Sequence, residues 1–221
     1  MDETACPLWI KICGIRSIQD AEMVSQFQPA AIGLNFYQKS PRSVTRELAR
    51  EIILKISDPI ERVGVFVDQT PKEIAEIANE LLLTHVQLHG DYQPEDLDPL
   101  RDHSLIWVYR LGNEGISPLL SQLDSLLRNQ ISITACLIDA RVPGLYGGSG
   151  KTVDWASLAR DYDQEKLPKL ILAGGLVPEN IAEAISIVHP WGVDVASGVE
   201  QDDQKNPQLV EQFLKNAVSA I

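Results

Sequence analysis

The sequence predicts an α/β fold, a single (β/α)8 TIM barrel that takes in residues 1–221. Short apolar runs alternate with longer segments of helical periodicity, and this alternation repeats eight times along the chain. The apolar runs are of the kind that parallel strands show when both of their faces are buried. A chain of 221 residues is long enough for eight such units in one domain.

The elements follow in order from these patterns. Strands are predicted at residues 9–15, 30–36, 62–68, 85–89, 105–111, 136–139, 170–173 and 192–196. Helices are predicted at residues 18–27, 45–56, 71–83, 94–101, 117–128, 154–162, 178–188 and 207–218. Ser17 and Thr70 precede two of these helices as N-caps. First-turn prolines begin four of them: Pro71, Pro94, Pro178 and Pro207.

An open doubly wound sheet is the alternative architecture. That fold usually has fewer strands for its length and often carries a GxGxxG fingerprint after its first strand. Here the first strand is followed by Cys13, Gly14, Ile15 and Arg16, without the fingerprint. The sequence therefore favours the barrel.

The chain is acidic, with a formal net charge of −12. Nucleic acids and anionic membranes attract positive proteins, so neither is a predicted partner, although a local anion site stays possible. Cys6, Cys13 and Cys136 show no CxxC spacing and cannot all pair, which disfavours a disulfide scaffold or zinc ribbon. With no secretory signal and no apolar run of about 20 residues, a cytoplasmic protein is expected.

In a barrel of this kind, reactive groups lie at the carboxyl ends of the strands. Side-chain alternation puts Lys11 and Cys13 on one face of the first strand, and Cys13 ends it. A lysine facing the barrel interior needs a partner, and we expect Asp194 of the neighbouring eighth strand to pair with it. In the alternative, Lys11 points outward and Cys13 is a small buried apolar side chain.

Two further strand ends carry chemistry. Arg42 follows the second strand and has a planar fork suited to a carboxylate, or else is a solvated loop charge like Lys39. Asp139 ends the sixth strand and is either an acid–base group or a helix cap. The glycine-rich residues 144–151 after it suit a lid, and they miss the Walker pattern by one residue.

Small residues after the last two strands suit a phosphate bound by backbone N–H groups. They are Gly174, Gly175, Ser197 and Gly198. Gln87 and His89 share one face of the fourth strand and are assigned supporting roles, with a structural, hydrogen-bonded histidine as the alternative. The remaining histidines lack metal-ligand spacing, so no metal site is predicted.

Six short sequence motifs, in the order in which they occur along the chain, resemble those of one family. They are KICGI, SPR, VQLHG, an aspartate before GGSGKTVDW, LAGGL and DVASGVE. Together they resemble phosphoribosylanthranilate isomerases over residues 11–218. Any one string is weak, but the ordered set is specific.

The resemblance implies the third step of tryptophan biosynthesis counted from chorismate. N-(5-phosphoribosyl)anthranilate, a phosphosugar-anthranilate substrate, is isomerised to 1-(2-carboxyphenylamino)-1-deoxyribulose 5-phosphate by an Amadori rearrangement that needs no cofactor. The resemblance makes Cys13 the general base, Asp139 the general acid and Arg42 the ligand of the anthranilate carboxylate. The chain is expected to be a monomer or a homodimer.

The residue types suit this reaction. Ring opening needs a proton on the ring oxygen, which a buried carboxylic acid can supply. Moving the carbonyl then needs removal of the C2 proton, for which a thiolate serves if a nearby cation lowers its pKa. Lys11, two residues before Cys13, is the candidate cation.

Some positions depart from the family pattern. Ala196 stands where a serine is frequent, which removes one possible phosphate hydroxyl. Residues 201–206 are acidic and lack a glycine, so the shape of that loop stays open. Asn35 and Gln38 are also atypical.

Two other functions are weighed against this one. The first is another phosphate-binding barrel that acts on a sugar phosphate, such as an epimerase or the related histidine-pathway isomerase. The latter would be expected to use aspartates at the ends of strands one and five, where this chain has Cys13 and then Leu111 and Gly112. A non-catalytic phosphosugar-binding barrel would need no acid–base pair, so the presence of both Cys13 and Asp139 argues against it.

Overall fold

A computed structural model of the chain describes residues 8–140 and 154–221. Its eight parallel strands close into a barrel in which each strand pairs with the next and the last pairs with the first. They are β1 Trp9–Cys13, β2 Ala31–Asn35, β3 Glu61–Phe66, β4 His85–Leu88, β5 Leu105–Leu111, β6 Ala135–Ala140, β7 Lys169–Leu172 and β8 Gly192–Val195. The predicted barrel is confirmed, and closure rules out the open sheet.

Helices connect most of the strands. They are α1 Ile18–Ser25, α2 Arg46–Ile53, α3 Pro71–Glu80, α4 Ser117–Arg128, α5 Trp155–Asp161, α6 Ile181–Val188 and α7 Pro207–Val218. The Ser17 hydroxyl accepts from the amide of Asp20 at 3.0 Å, and Thr70 forms a reciprocal capping box with Glu73. Both predicted N-caps are confirmed. No helix within the described residues is both long and apolar enough to cross a membrane.

The helix predicted at residues 94–101 is wrong. The segment forms two 3-10 turns, Pro94–Asp96 and Asp98–Leu100. Pro99 explains the difference, because its ring removes an amide donor and disfavours helical backbone at the preceding residue. The helix predicted from residue 178 likewise begins later, at Ile181.

Apolar side chains fill the amino-terminal part of the barrel interior. The buried residues of this inner cluster are Trp9, Ala31, Val63, Ile106, Ala135, Leu137, Ile171 and Ala173. Inward positions farther along several strands are polar, among them Asn35, Gln87 and Asp139. The interior is therefore a packed core at one end and a polar cavity at the carboxyl ends of the strands.

The acidic segment after β8 forms a hairpin. Strand β9 (Glu200–Gln201) pairs antiparallel with β10 (Gln204–Lys205), which places Lys205 opposite Glu200. The turn residues Asp202 and Asp203 have φ angles of 51° and 60°, as a two-residue type I′ turn requires. The loop shape that the sequence left open is thus a tight turn built without glycine.

We expect Asp203→Gly to raise the free energy of unfolding by about 0.5–1 kcal/mol, because glycine adopts positive φ without strain and Asp-Gly favours this turn. Urea denaturation measures the change. The matched control is Asp124→Gly in α4, where glycine should lower stability. If the Asp203 variant had a lower free energy of unfolding than the unchanged chain, the interpretation that Asp203 is strained in this turn would be wrong.

Candidate active site

A cavity of about 310 Å³ opens at the carboxyl ends of the strands. It brings together ten of the predicted site residues: Cys13, Arg42, Gln87, His89, Asp139, Gly174, Gly175, Asp194, Ser197 and Gly198. Lys11 is fully buried on the same face of β1 as Cys13. The glycine-rich residues 144–151 predicted as a lid lie outside the described residues, as does Cys6.

The buried lysine has the partner that the sequence predicts. Lys11 Nζ donates to Asp194 Oδ1 at 2.7 Å, across the register that pairs β1 with β8. Burial opposes the charge of Lys11, but Asp194 and Cys13 together outweigh it and raise the pKa of the lysine. The ion pair is confirmed, and the alternative in which Lys11 points outward is wrong.

Gly33 makes room for both reactive side chains of β1. A Cβ atom at this position would lie 2.7 Å from Cys13 Sγ and 3.0 Å from Lys11 Cε. Only glycine in the adjoining strand β2 therefore leaves the thiol and the ammonium group where they are.

The pKa of Cys13 differs from the expectation. Burial raises the pKa of the thiol above its usual value of 9.0, and this outweighs the opposing field of Lys11. The negative charge of Asp194 also raises it, because it disfavours a second negative charge on the thiol. Lys11 lowers the pKa of the thiol as expected but does not offset burial, so Cys13 rests as a thiol at neutral pH.

Gln87 and His89 present one acceptor and one donor. The Gln87 amide nitrogen lies 3.3 Å from His89 Nδ1. Because the amide N–H donates this hydrogen bond, Nδ1 is the acceptor and the proton of the neutral imidazole is on Nε2. Burial lowers the pKa of His89 to about 3, helped by the charges of Arg110 and Lys11, so the ring is neutral. Gln87 Oε1 and His89 Nε2 are buried without a hydrogen-bond partner among the described residues.

Asp139 is buried at the end of β6, with Oδ2 3.9 Å from His89 Nε2. Because His89 is neutral, this contact is not an ion pair. The alternative role as cap of the following helix is filled by Asp154, whose side chain accepts from the amide of Ser157 at 3.1 Å. The Asp139 side chain lines the cavity.

Side-chain hydrogen bonds build the loop that carries Arg42. Asn35 Oδ1 accepts from the amide of Tyr37 at 2.9 Å, and its Nδ2 donates to Ser40 Oγ at 3.2 Å. Ser40 Oγ in turn accepts from the amide of Arg42 at 3.1 Å. The atypical Asn35 therefore shapes the loop and orients the backbone of Arg42.

Arg42 is held by Glu200, whose carboxylate is shared with Lys205, and sequence reasoning assigned neither of these two residues to the site. Its Nε and Nη2 donate to Glu200 Oε1 and Oε2 at 2.9 and 2.5 Å. Lys205 Nζ donates to Glu200 Oε1 at 2.7 Å and to the carbonyl of Ala196 at 2.8 Å. Arg42 is 20% exposed and paired, so the alternative of a solvated loop charge is wrong. The one sequence feature that could have indicated this contact is Lys205, a lysine within the acidic residues 201–206.

The backbone conformation or close packing of the loops after the last two strands requires glycine at three positions. Gly174 and Gly175 have φ angles of 85° and 63°. A Cβ on Gly198 would lie 1.9 Å from the carbonyl oxygen of Leu176. A short 3-10 turn, Ser197–Val199, follows β8. These loops pack closely, and Gly174, Gly175, Ser197 and Gly198 all line the cavity.

Comparisons with known proteins agree on one family. The family described as N-(5'phosphoribosyl)anthranilate (PRA) isomerase matches residues 10–216. An N-(5'-phosphoribosyl)anthranilate isomerase of Moorella thermoacetica is 41% identical over 93% of this chain and 87% of its own. The phosphoribosyl anthranilate isomerase structure from Thermotoga maritima is 34% identical, with a TM-score of 0.82, and the match covers 96% of this chain and 99% of that one.

A second solved structure of this kind contains a ligand. It is a phosphoribosyl anthranilate isomerase in complex with reduced 1-(o-carboxyphenylamino)-1-deoxyribulose 5-phosphate. It is 31% identical to this chain, with a TM-score of 0.78, and the match covers 96% of this chain and 99% of that one. On this evidence the chain is an enzyme of the N-(5'-phosphoribosyl)anthranilate isomerase family.

Proposed function

We propose that the cavity converts N-(5-phosphoribosyl)anthranilate into 1-(2-carboxyphenylamino)-1-deoxyribulose 5-phosphate, with Cys13 as general base and Asp139 as general acid. The observation that carries this proposal is that a buried thiol and a buried carboxyl group line one cavity. Membership of the family assigns the chain to the isomerase step in tryptophan biosynthesis. The roles of the individual residues are our proposal.

In the first step, the Asp139 carboxyl group donates a proton to the ring oxygen of the substrate. The C1–O bond breaks as the lone pair of the anilino nitrogen forms a C1=N bond. In the second step, the Cys13 thiolate removes the proton from C2, and the electron pair of that bond moves toward the nitrogen. The resulting enolamine tautomerises to the ketone, so proton transfers alone complete the reaction.

The two ends of the substrate are anionic, and each has a match in the cavity. Arg42, Glu200 and Lys205 together carry one net positive charge in a chain whose total is −12, which suits the anthranilate carboxylate. Gly174, Gly175 and the turn after β8 suit the phosphate. The relative that binds the reduced product analogue supports a ligand of this shape.

Gln87 and His89 fit the sugar between these ends. A buried polar atom without a partner costs about 1–3 kcal/mol, which a ligand recovers by pairing with it. Gln87 Oε1 accepts and His89 Nε2 donates, and a hydroxyl group can do both. We assign these two atoms to the hydroxyl groups of the ribose.

The reaction is tested by a fluorescence assay. Phosphoribosylanthranilate is generated in situ, and the loss of its anthranilate-type emission is followed after addition of the enzyme. Rapid loss supports the proposed reaction. An unchanged signal, with the substrate shown to be present, would overturn it.

Arg42→Ala is expected to raise KM by about 10- to 100-fold with little change in kcat, because the carboxylate lies away from the reacting atoms. Steady-state kinetics in the same assay measure both constants. Arg101→Ala, which removes an exposed partner of Asp98, is the matched control and should change neither. An unchanged KM with an altered kcat would remove Arg42 from carboxylate binding.

A further inference from the structure

We propose that Glu200, supported by Lys205, is a positioning residue that sets the guanidinium of Arg42 for the carboxylate of the substrate. The inference rests on the proposed function, in which Arg42 binds that carboxylate. Neither Glu200 nor Lys205 is among the described residues that line the cavity. They lie behind Arg42 and act through it.

Glu200 binds one edge of the Arg42 guanidinium, the edge formed by Nε and Nη2. The two carboxylate oxygens accept from Nε and Nη2 in a forked arrangement, which determines the plane and the rotation of the group. Within residues 8–140 and 154–221 the Nη1 end of the guanidinium has no hydrogen-bond partner, and we assign it to the substrate carboxylate. An arginine that is already ordered loses less side-chain freedom when the ligand binds.

Lys205 makes this arrangement compatible with anion binding. A glutamate alone would cancel the charge of Arg42 and weaken its attraction for a carboxylate. The ammonium group of Lys205, whose side chain is 1% exposed, shares the same carboxylate and restores one net positive charge. The carbonyl of Ala196 holds Lys205 in place.

The backbone around the triad keeps the three residues in register. The hairpin sets Lys205 opposite Glu200, and Arg16 donates to the carbonyls of Asp203 and Pro41, which ties the hairpin to the Arg42 loop. Gly14 has φ +80°, and a Cβ there would lie 2.5 Å from Arg42 Cδ. The end of β1 thus leaves a path for the arginine stem.

The test uses two ligands and two variants of the full chain. The ligands are reduced 1-(2-carboxyphenylamino)-1-deoxyribulose 5-phosphate and its phenylamino counterpart without the carboxyl group, with Kd measured by calorimetry. Glu200→Gln is expected to raise the Kd of the carboxylated ligand by about 10- to 100-fold and to change the Kd of the other ligand by no more than about twofold. Glu200→Asp keeps the charge but cannot reach both nitrogens, so we expect the same selective loss.

Controls and contrary results separate positioning from other effects. Glu80→Gln, which removes a carboxylate bound by Arg46 and Arg50 outside the cavity lining, should change neither Kd. Glu200→Gln added to Arg42→Ala should cause no further loss. Equal weakening of both ligands, or tighter binding of the carboxylated one, would overturn the proposal.

Failure of the proposed function gives a different result. In that case the unchanged enzyme binds the two ligands equally well or binds neither, and the positioning role falls together with the carboxylate clamp. If the unchanged enzyme prefers the carboxylated ligand and the Glu200 variants keep that preference, the proposed function stands and only the positioning role is overturned.

Discussion

Replacing Cys13 by serine is expected to lower kcat by about 10²–10⁴-fold with little change in the binding of the reduced product analogue. The serine hydroxyl has nearly the same size, but it does not ionise at accessible pH and so cannot take the proton from C2. Steady-state kinetics and calorimetry measure the two effects. A kcat close to that of the unchanged enzyme would remove Cys13 from the mechanism.

The second buried cysteine provides the matched control. Cys136 is fully buried on β6 outside the cavity lining, and burial raises its pKa to about 12. Cys136→Ser should therefore leave kcat unchanged, even if it lowers stability. A similar loss of kcat in both variants would indicate a general effect of removing a buried thiol.

The raised pKa of Cys13 also predicts a pH dependence. A general base acts only when it is deprotonated, and burial raises the pKa of this thiol above 9.0. The thiolate fraction therefore grows as the pH rises from neutral toward that pKa, and kcat/KM should rise with it. The profile of the serine variant should lack this rise.

Asp139→Asn is expected to lower kcat by about 10²–10⁴-fold, because the amide has the shape of the carboxyl group but no proton to give to the ring oxygen. The fluorescence assay measures the remaining rate. Asp154→Asn is the matched control, since asparagine caps a helix as well as aspartate does, and its kcat should be unchanged. A kcat for Asp139→Asn within a few-fold of normal would assign ring opening to another acid.

The sequence by itself predicts the barrel and the places of the proposed catalytic residues, because both follow from local periodicity. Alternation along β1 puts Lys11 and Cys13 on one face, and closure of the barrel brings Asp194 of β8 beside Lys11. The ends of parallel strands meet at one face of the fold, so Cys13 and Asp139 line one cavity although they are far apart in the chain.

Only the tertiary structure decides the electrostatics and the loop contacts. The extent of burial raises the pKa of Cys13 against the field of Lys11, and burial depends on packing from every side. The contact of Arg42 with Glu200 spans 158 residues and depends on the turn of a hairpin at Asp202 and Asp203. Hydrophobic periodicity does not encode such contacts, because it specifies which face of an element is buried and not what a loop brings to it.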